Sequence, residues 1–149
     1  MAYPKVTVIT ATYNLIRAGR AETIVQAIES VHDQKYEGEI EHLIMDGASD
    51  DGTLDLLAPF SEQGWIKVVS QKDSGLYDAM NKGLATATGK YTVFLNSDDY
   101  WSSELAVQKS VEALERTQAD FSYGLYRVEK NGKMGKIDEP SLDSVVKRF

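Results

Sequence analysis

Five short runs of β-branched and aromatic residues alternate with helical stretches along this 149-residue chain, and that alternation restricts its fold more than any other feature. The runs are "KVTVITAT" (5–12), "EIEHLIMD" (39–46), "WIKVVSQ" (65–71), "YTVFLN" (91–96) and "FSYGLYRVE" (121–129), each read as a strand. Between the first two, "RAETIVQAIESVHDQ" (20–34) sets Ile24, Ala27, Ile28 and Val31 at spacings of three and four, one apolar helix face. A short helix through Leu54, Leu57 and Ala58 follows the turn-rich "GASDDGT". The stretch from Leu76 to Thr86 is helical in composition, with Gly89 expected to close it in a left-handed conformation. Ser103 is expected to start a helix that runs through Leu105, Val107, Val111 and Leu114 to Thr117. "KNGK" reads as a hairpin turn and "SLDSVVKRF" as a last helical turn. Strands separated by crossover helices give an α/β fold, a three-layer, doubly wound and mostly parallel sheet. The length suits one domain, residues 1–149, and no repeat or linker divides it.

Ligands of such sheets bind outside the carboxyl ends of the strands. "TATYN", "DGASDDGT", "KDSG" and "NSDD" are therefore expected around one crevice, bringing Asp46, Asp50, Asp51, Asp73, Asp98 and Asp99 toward one rim. The chain already carries a net charge of -7, and like charges that converge raise one another's cost of ionising. A divalent cation with oxygen ligands is the economical compensation. Taken singly, Asp98–Asp99 reads equally well as a solvated strand-to-helix turn, and Asp46 with "GASDDGT" as a turn and cap. The acidic balance argues against a nucleic-acid backbone as partner. There is no cysteine, which removes disulfides, thiolate metal sites and cysteine nucleophiles. "MAYPKVTVITATYN" holds only about seven strand-like residues before polar ones return, too short for a signal peptide or a membrane span, so a cytoplasmic location is expected.

Other nucleotide folds can be tested directly. A dinucleotide fold needs G-x-G-x-x-G after the first strand, where this chain has "TATYNLIRAG". A phosphate-binding P-loop fails at Leu84, where its first glycine belongs, and at Tyr91, where its hydroxyl belongs. Phosphoaspartate chemistry would need acids at the end of the first strand, which has none. His32 and His42 lack partners at ligand spacing and read as structural, and Met80 and Trp101 read as core.

"VTVITATYN", "DGASDDGT", "DSGLYDAMNKGLATATG" and "YTVFLNSDD", in that order and at these spacings, resemble the nucleotide-sugar-binding half of family 2 glycosyltransferases with the GT-A fold. The likeness is to bacterial exopolysaccharide enzymes of the colanic acid and amylovoran type, and it covers residues 5 to 127. The resemblance implies an inverting transfer from a UDP-sugar to a saccharide or lipid-linked acceptor, assisted by Mn2+ or Mg2+. It implies peripheral association with the inner face of the membrane where the acceptor is lipid-linked. It would set Thr10, Ala11, Thr12 and Tyr13 along the nucleotide, Asp46 at the base, and Asp73 to Asn81 over the nucleotide. Ser97 and Asp98 of "NSDD" would face the donor, with Asp98 the metal ligand and Asp99 an adjacent candidate, because Asn96 replaces the first aspartate of the family's D-x-D motif. Asp138 and Glu139 come too early to match the family's acceptor-side base, so none is assigned and the acceptor-binding half is expected to be missing. The rival reading is a nucleotide-binding or interaction module without turnover.

Overall fold

Strands β1 (Val6–Thr12) and β2 (Ile40–Asp46) bury successive residues rather than alternate ones. Val8, Ile9, Leu43, Ile44 and Met45 are all at most 2% exposed in the computed structural model, which describes residues 2–138. A strand buried on both faces needs a layer on each. On one face Val8 and Ile44 pack with Ile24, Ala27, Ile28 and Val31 of helix α1 (Ala21–His32) and with Leu57 of α2 (Thr53–Glu62). On the other, Ile9, Leu43 and Met45 pack with Ala79 of helix α3 (Leu76–Thr86), which covers the residues expected of it. Gly83 makes that second layer tight, since a Cβ there would lie 2.6 Å from Ile9 Cγ2.

Together with β3 (Lys67–Ser70) and β4 (Tyr91–Phe94), these strands form a four-stranded parallel sheet in the order β3-β2-β1-β4. The register sets Thr12 opposite Asp46 and Asp46 opposite Ser70, so three strands end at one level. Both histidines serve the scaffold: His32 stacks on Trp65 at 3.6 Å and 8°, and buried His42 shares a 2.9 Å hydrogen bond between Nε2 and Thr10 Oγ1. Trp101 packs against the first core.

The chain divides into two compact units, Met1–Gln108 and Lys109–Phe149, with helix α4 (Ala106–Thr117) running across the boundary. In the second unit β5 (Tyr126–Lys130) pairs antiparallel with β6 (Lys133–Asp138) through Asn131 and Gly132, at φ 53° and 70°. The expected hairpin turn is there, but the expected fifth strand is shorter and belongs to this separate two-stranded sheet. A two-residue turn returns the chain directly alongside itself, and only an antiparallel pair can result. Two helix ends also differ from expectation. α3 ends at Ala87 with extended backbone, while Gly89 serves a close approach: a Cβ there would meet Thr7 N at 2.6 Å. Ser103 caps the turn before α4, its Oγ accepting Leu105 N–H at 3.3 Å and its carbonyl Ala106 N–H at 3.3 Å. The helical turn expected over 141–149, and Glu139, lie outside the described residues.

Candidate functional site

The level strand ends open a cleft of about 730 Å³, within the size range of small-molecule sites. Ala11, Thr12 and Tyr13 line it from β1, Gly47, Ala48 and Asp50 from the loop after β2, Lys72, Asp73 and Gly75 from the loop after β3, and Ser97 from the loop after β4. Arg20, the residue before α1, completes the wall. The first two loops are zipped by side chains. Ser49 Oγ accepts Asn14 N–H at 2.8 Å, Asn14 Oδ1 accepts Asp50 N–H at 3.0 Å, and Thr53 Oγ1 accepts Leu15 N–H at 2.8 Å. Asn14 and Ala48 hold φ of 47° and 61° to make these turns; Ala48, with no side-chain hydrogen bond to offer, is the strained one.

The convergence of the six aspartates is met largely from within the protein. Asp46 is 1% exposed, and its two oxygens accept Thr12 Oγ1 at 3.1 Å, Ser49 N–H at 2.9 Å, Ser49 Oγ at 2.6 Å and Ser70 Oγ at 2.7 Å. Asp51 accepts Arg17 N–H at 2.8 Å and both the N–H and hydroxyl of Thr53. Desolvation pushes the Asp51 carboxyl up, but these hydrogen bonds together hold it below the usual carboxylate range. Asp50 pairs with the Arg17 guanidinium at 3.1 Å. Asp73 Oδ1 accepts Gly75 N–H at 2.9 Å, and Asp99 accepts Asn96 Nδ2 at 2.9 Å. Asp98 faces Arg20 Nη2 at 3.5 Å. Backbone N–H groups, hydroxyls and arginines thus compensate most of the six carboxylates, so the charge of the rim does not by itself require an ion.

Of the residues singled out in the sequence, the cleft gathers Ala11, Thr12, Tyr13, Asp50, Asp73 and Ser97. It does not gather Thr10, Asp46 or Asn81. Thr10 sits deeper in β1, fully buried with its hydroxyl on His42, Asp46 is enclosed by its four donors, and Asn81 is exposed on α3. Asp98 and Asp99 stand beyond the lining, Asp98 joined to it through Arg20. Leu15 and Arg20 lie outside the segments expected at the crevice, and within those segments Lys72 and Gly47 were not singled out. Gly47 lets Asp73 and Tyr13 both close in on the backbone there, because a Cβ would lie 2.7 Å from Asp73 Oδ2 and 3.2 Å from Tyr13 Cδ2. Its signal was the glycine of "DGAS" directly after a strand; Arg20 carried none, because its partner lies in a distant segment.

Among the described residues no three His, Asp or Glu side chains are grouped to hold a metal ion. Asp98, 45% exposed, offers one carboxylate, with Asn96 and Asp99 beside it. That set suits a hard cation whose remaining ligands are water and substrate phosphates, the manner in which magnesium is usually held. No helix among the described residues is long and apolar enough to cross a membrane.

Comparison with known proteins matches residues 7–138 to the family model "Glycosyl transferase family 2". An uncharacterized glycosyltransferase of Mycobacterium tuberculosis is 39% identical over 111 residues, 74% of this chain and 40% of that one. The Escherichia coli UDP-Glc:alpha-D-GlcNAc-diphosphoundecaprenol beta-1,3-glucosyltransferase WfaP is 32% identical over 126 residues, 85% of this chain and 47% of that one. The chain thus spans less than half the length of these relatives. Among solved structures, the mannosyltransferase PcManGT of Pyrobaculum calidifontis, in complex with GDP-Man and Mn2+, superposes with a TM-score of 0.65 at 27% identity, over 76% of this chain and 33% of that one.

Proposed function

The chain belongs to glycosyl transferase family 2, and from that premise we propose that its cleft takes a UDP-sugar for inverting, cation-assisted transfer to a saccharide or lipid-linked acceptor. One observation carries this reading. The cleft is lined by two cationic side chains, Arg20 and Lys72, and Arg20 in turn meets Asp98, a half-exposed carboxylate just outside the lining that still has room for a ligand. A nucleoside diphosphate needs such a pairing, with cations for its phosphates and an anchor for their counter-ion. The name of WfaP, with its UDP-Glc and diphosphoundecaprenol, and the GDP-Man and Mn2+ of PcManGT support the donor and acceptor classes.

Each residue then has a chemical part. The Tyr13 ring, 63% exposed at the end of β1, offers a face on which a base can stack. Asp73 has Oδ1 committed to Gly75 N–H and Oδ2 close to Gly47, where it can serve as an acceptor for a base N–H. Arg20 and Lys72 attract the diphosphate. Asp98, with the amide oxygen of Asn96, would hold Mn2+ or Mg2+. When bound, the cation offsets the negative charge that builds on the departing diphosphate. Thr10 and Asp46 act one shell behind, fixing the strand ends on which this wall stands.

Calorimetric titration of the chain with UDP, with and without Mn2+, tests the reading. Binding that Mn2+ strengthens is expected, and no binding in either condition overturns it. Residues 1–149 are expected to bind the donor with little transfer, because no acceptor-side base is assigned among them and a placed base contributes about 10²- to 10⁴-fold. Robust transfer to an added saccharide would reveal a base within this chain; donor binding without even hydrolysis would favour the module without turnover.

A further inference from the structure

Arg20 is built unlike the other arginine of its loop. Arg17 commits its guanidinium to Asp50 and its backbone N–H to Asp51, tying two loops together. Arg20 has its backbone fixed, its N–H donating to Leu15 O at 2.8 Å and its carbonyl accepting Ile24 N–H at 3.1 Å and Thr23 Oγ1 at 3.1 Å. Its guanidinium, by contrast, meets only Asp98 among the described residues, at 3.5 Å, with both side chains about half exposed (49% and 45%). An exposed pair of this length is held weakly, so the head can leave while the stem stays. It is also one of just two cationic side chains lining the cleft.

We propose that Arg20 is an exchangeable counter-ion of the site: it neutralises Asp98 while the cleft is empty and turns to the donor's diphosphate once a divalent cation takes that carboxylate. The charges require the exchange. A cation bound to Asp98 would lie within a few ångströms of the guanidinium, and two positive groups at that range repel unless an anion separates them. The diphosphate is that anion, and a guanidinium grips phosphate oxygens through parallel N–H donors. Cation and nucleotide therefore bind together rather than singly, and Arg20 is the residue that makes them depend on each other. The Asp98 carboxylate stays occupied in the empty protein, which keeps a bare ion from settling there. This inference rests on the reading of the cleft as a donor site.

The test uses the full chain, its Arg20→Gln and Arg20→Lys variants, and three probes: Mn2+ alone followed by the paramagnetic resonance of the free ion, UDP with Mn2+ by calorimetry, and uridine. Arg20→Gln is expected to bind Mn2+ alone several-fold more tightly than the parent and UDP with Mn2+ about tenfold more weakly, the size typical of a charged hydrogen bond. Uridine affinity is expected not to move, and Arg20→Lys to fall between parent and Gln on both ionic probes. Opposite signs on Mn2+ and UDP are the signature, since a merely structural role would weaken both and uridine with them. If the parent binds no UDP, the donor reading itself fails and this inference with it. If the parent binds UDP and Arg20→Gln binds UDP equally, or binds Mn2+ alone no better, the donor reading stands and the exchange is overturned.

Discussion

The ends of β2 and β4 both carry aspartates, yet the two are treated in opposite ways. At β2, Asp46 is buried and every oxygen is claimed by side chains and backbone of β1, β3 and its own loop. At β4, Asp98 is half exposed and faces a single distant arginine. The first arrangement joins three strand ends into a platform, and its carboxylate has no capacity left for anything else. The second leaves a carboxylate that a ligand can claim without dismantling the fold. A carboxylate at a strand end thus marks a ligand site only when its hydrogen-bond capacity is still open.

The sharpest way to break this contrast is to exchange each acid for a neutral residue and measure denaturant unfolding. Asp46→Ala should cost about 3 kcal/mol, because it removes a buried carboxylate that ties the buried Thr12 hydroxyl to the half-buried Ser49 and the more exposed Ser70 and leaves those donors without their charged acceptor. Asp98→Asn should change stability by no more than about 0.5 kcal/mol, as exposed substitutions do. Equal losses would remove the distinction.

Acid should attack the platform side next. His42, wholly enclosed beside Thr10, has its pKa pushed down to about 3 by burial, from an ordinary value of 6.5. A depressed folded value means that the unfolded chain takes up the proton first. Stability is then fully present above pH 6.5 and is lost as pH falls toward 3, by about 1.4 kcal/mol per unit or about 2 kcal/mol from pH 7 to 5. Unfolding curves at these pH values should show that loss, and His42→Gln should flatten it; a parent indifferent to pH in this window would mean the ring is hydrated. On the open side, Asp98→Asn should weaken UDP binding in Mn2+ about tenfold, or about 1.4 kcal/mol, while leaving uridine unchanged. The smallest effect is expected between the two ends. Ala48→Gly relieves a left-handed alanine but adds freedom to the unfolded chain, so a net gain of no more than about 0.5 kcal/mol should appear in a denaturant midpoint.

Much of the scaffold was legible because it rests on periodicity, which is local. The apolar face of Ile24, Ala27, Ile28 and Val31 could be read from spacing, and the extent of α3 from its composition. Gly89 could not, because its reason is the backbone of Lys5 and Thr7 pressing against it, which no local pattern contains. The site divides along the same line. That acids gather at the strand ends follows from topology, but which of them stay open depends on partners far along the chain. Thr12 claims Asp46, Arg17 claims Asp50 and Asp51, and Arg20 claims Asp98, each across a long separation. Composition records the negative charge and is silent on the donors that absorb it.

The strand order also sets a timetable. β1 leaves the ribosome before both of its sheet partners and is one of the two central strands, pairing with β2 on one side and with β4 on the other. The β2 side can close as soon as α1 and residue 46 have emerged, whereas the β4 side must wait for Tyr91–Phe94, beyond two further helices and β3. Through that interval one edge of the most buried strand, with its N–H and C=O groups unpaired, is open to any extended chain nearby. Closing the β1–β4 ladder is the long-range step with the largest loop to tie, and so the natural rate limit of folding. Substitutions in Tyr91–Phe94 should therefore lower the yield of folded protein at high synthesis rates well before they lower the stability of the molecules that do fold.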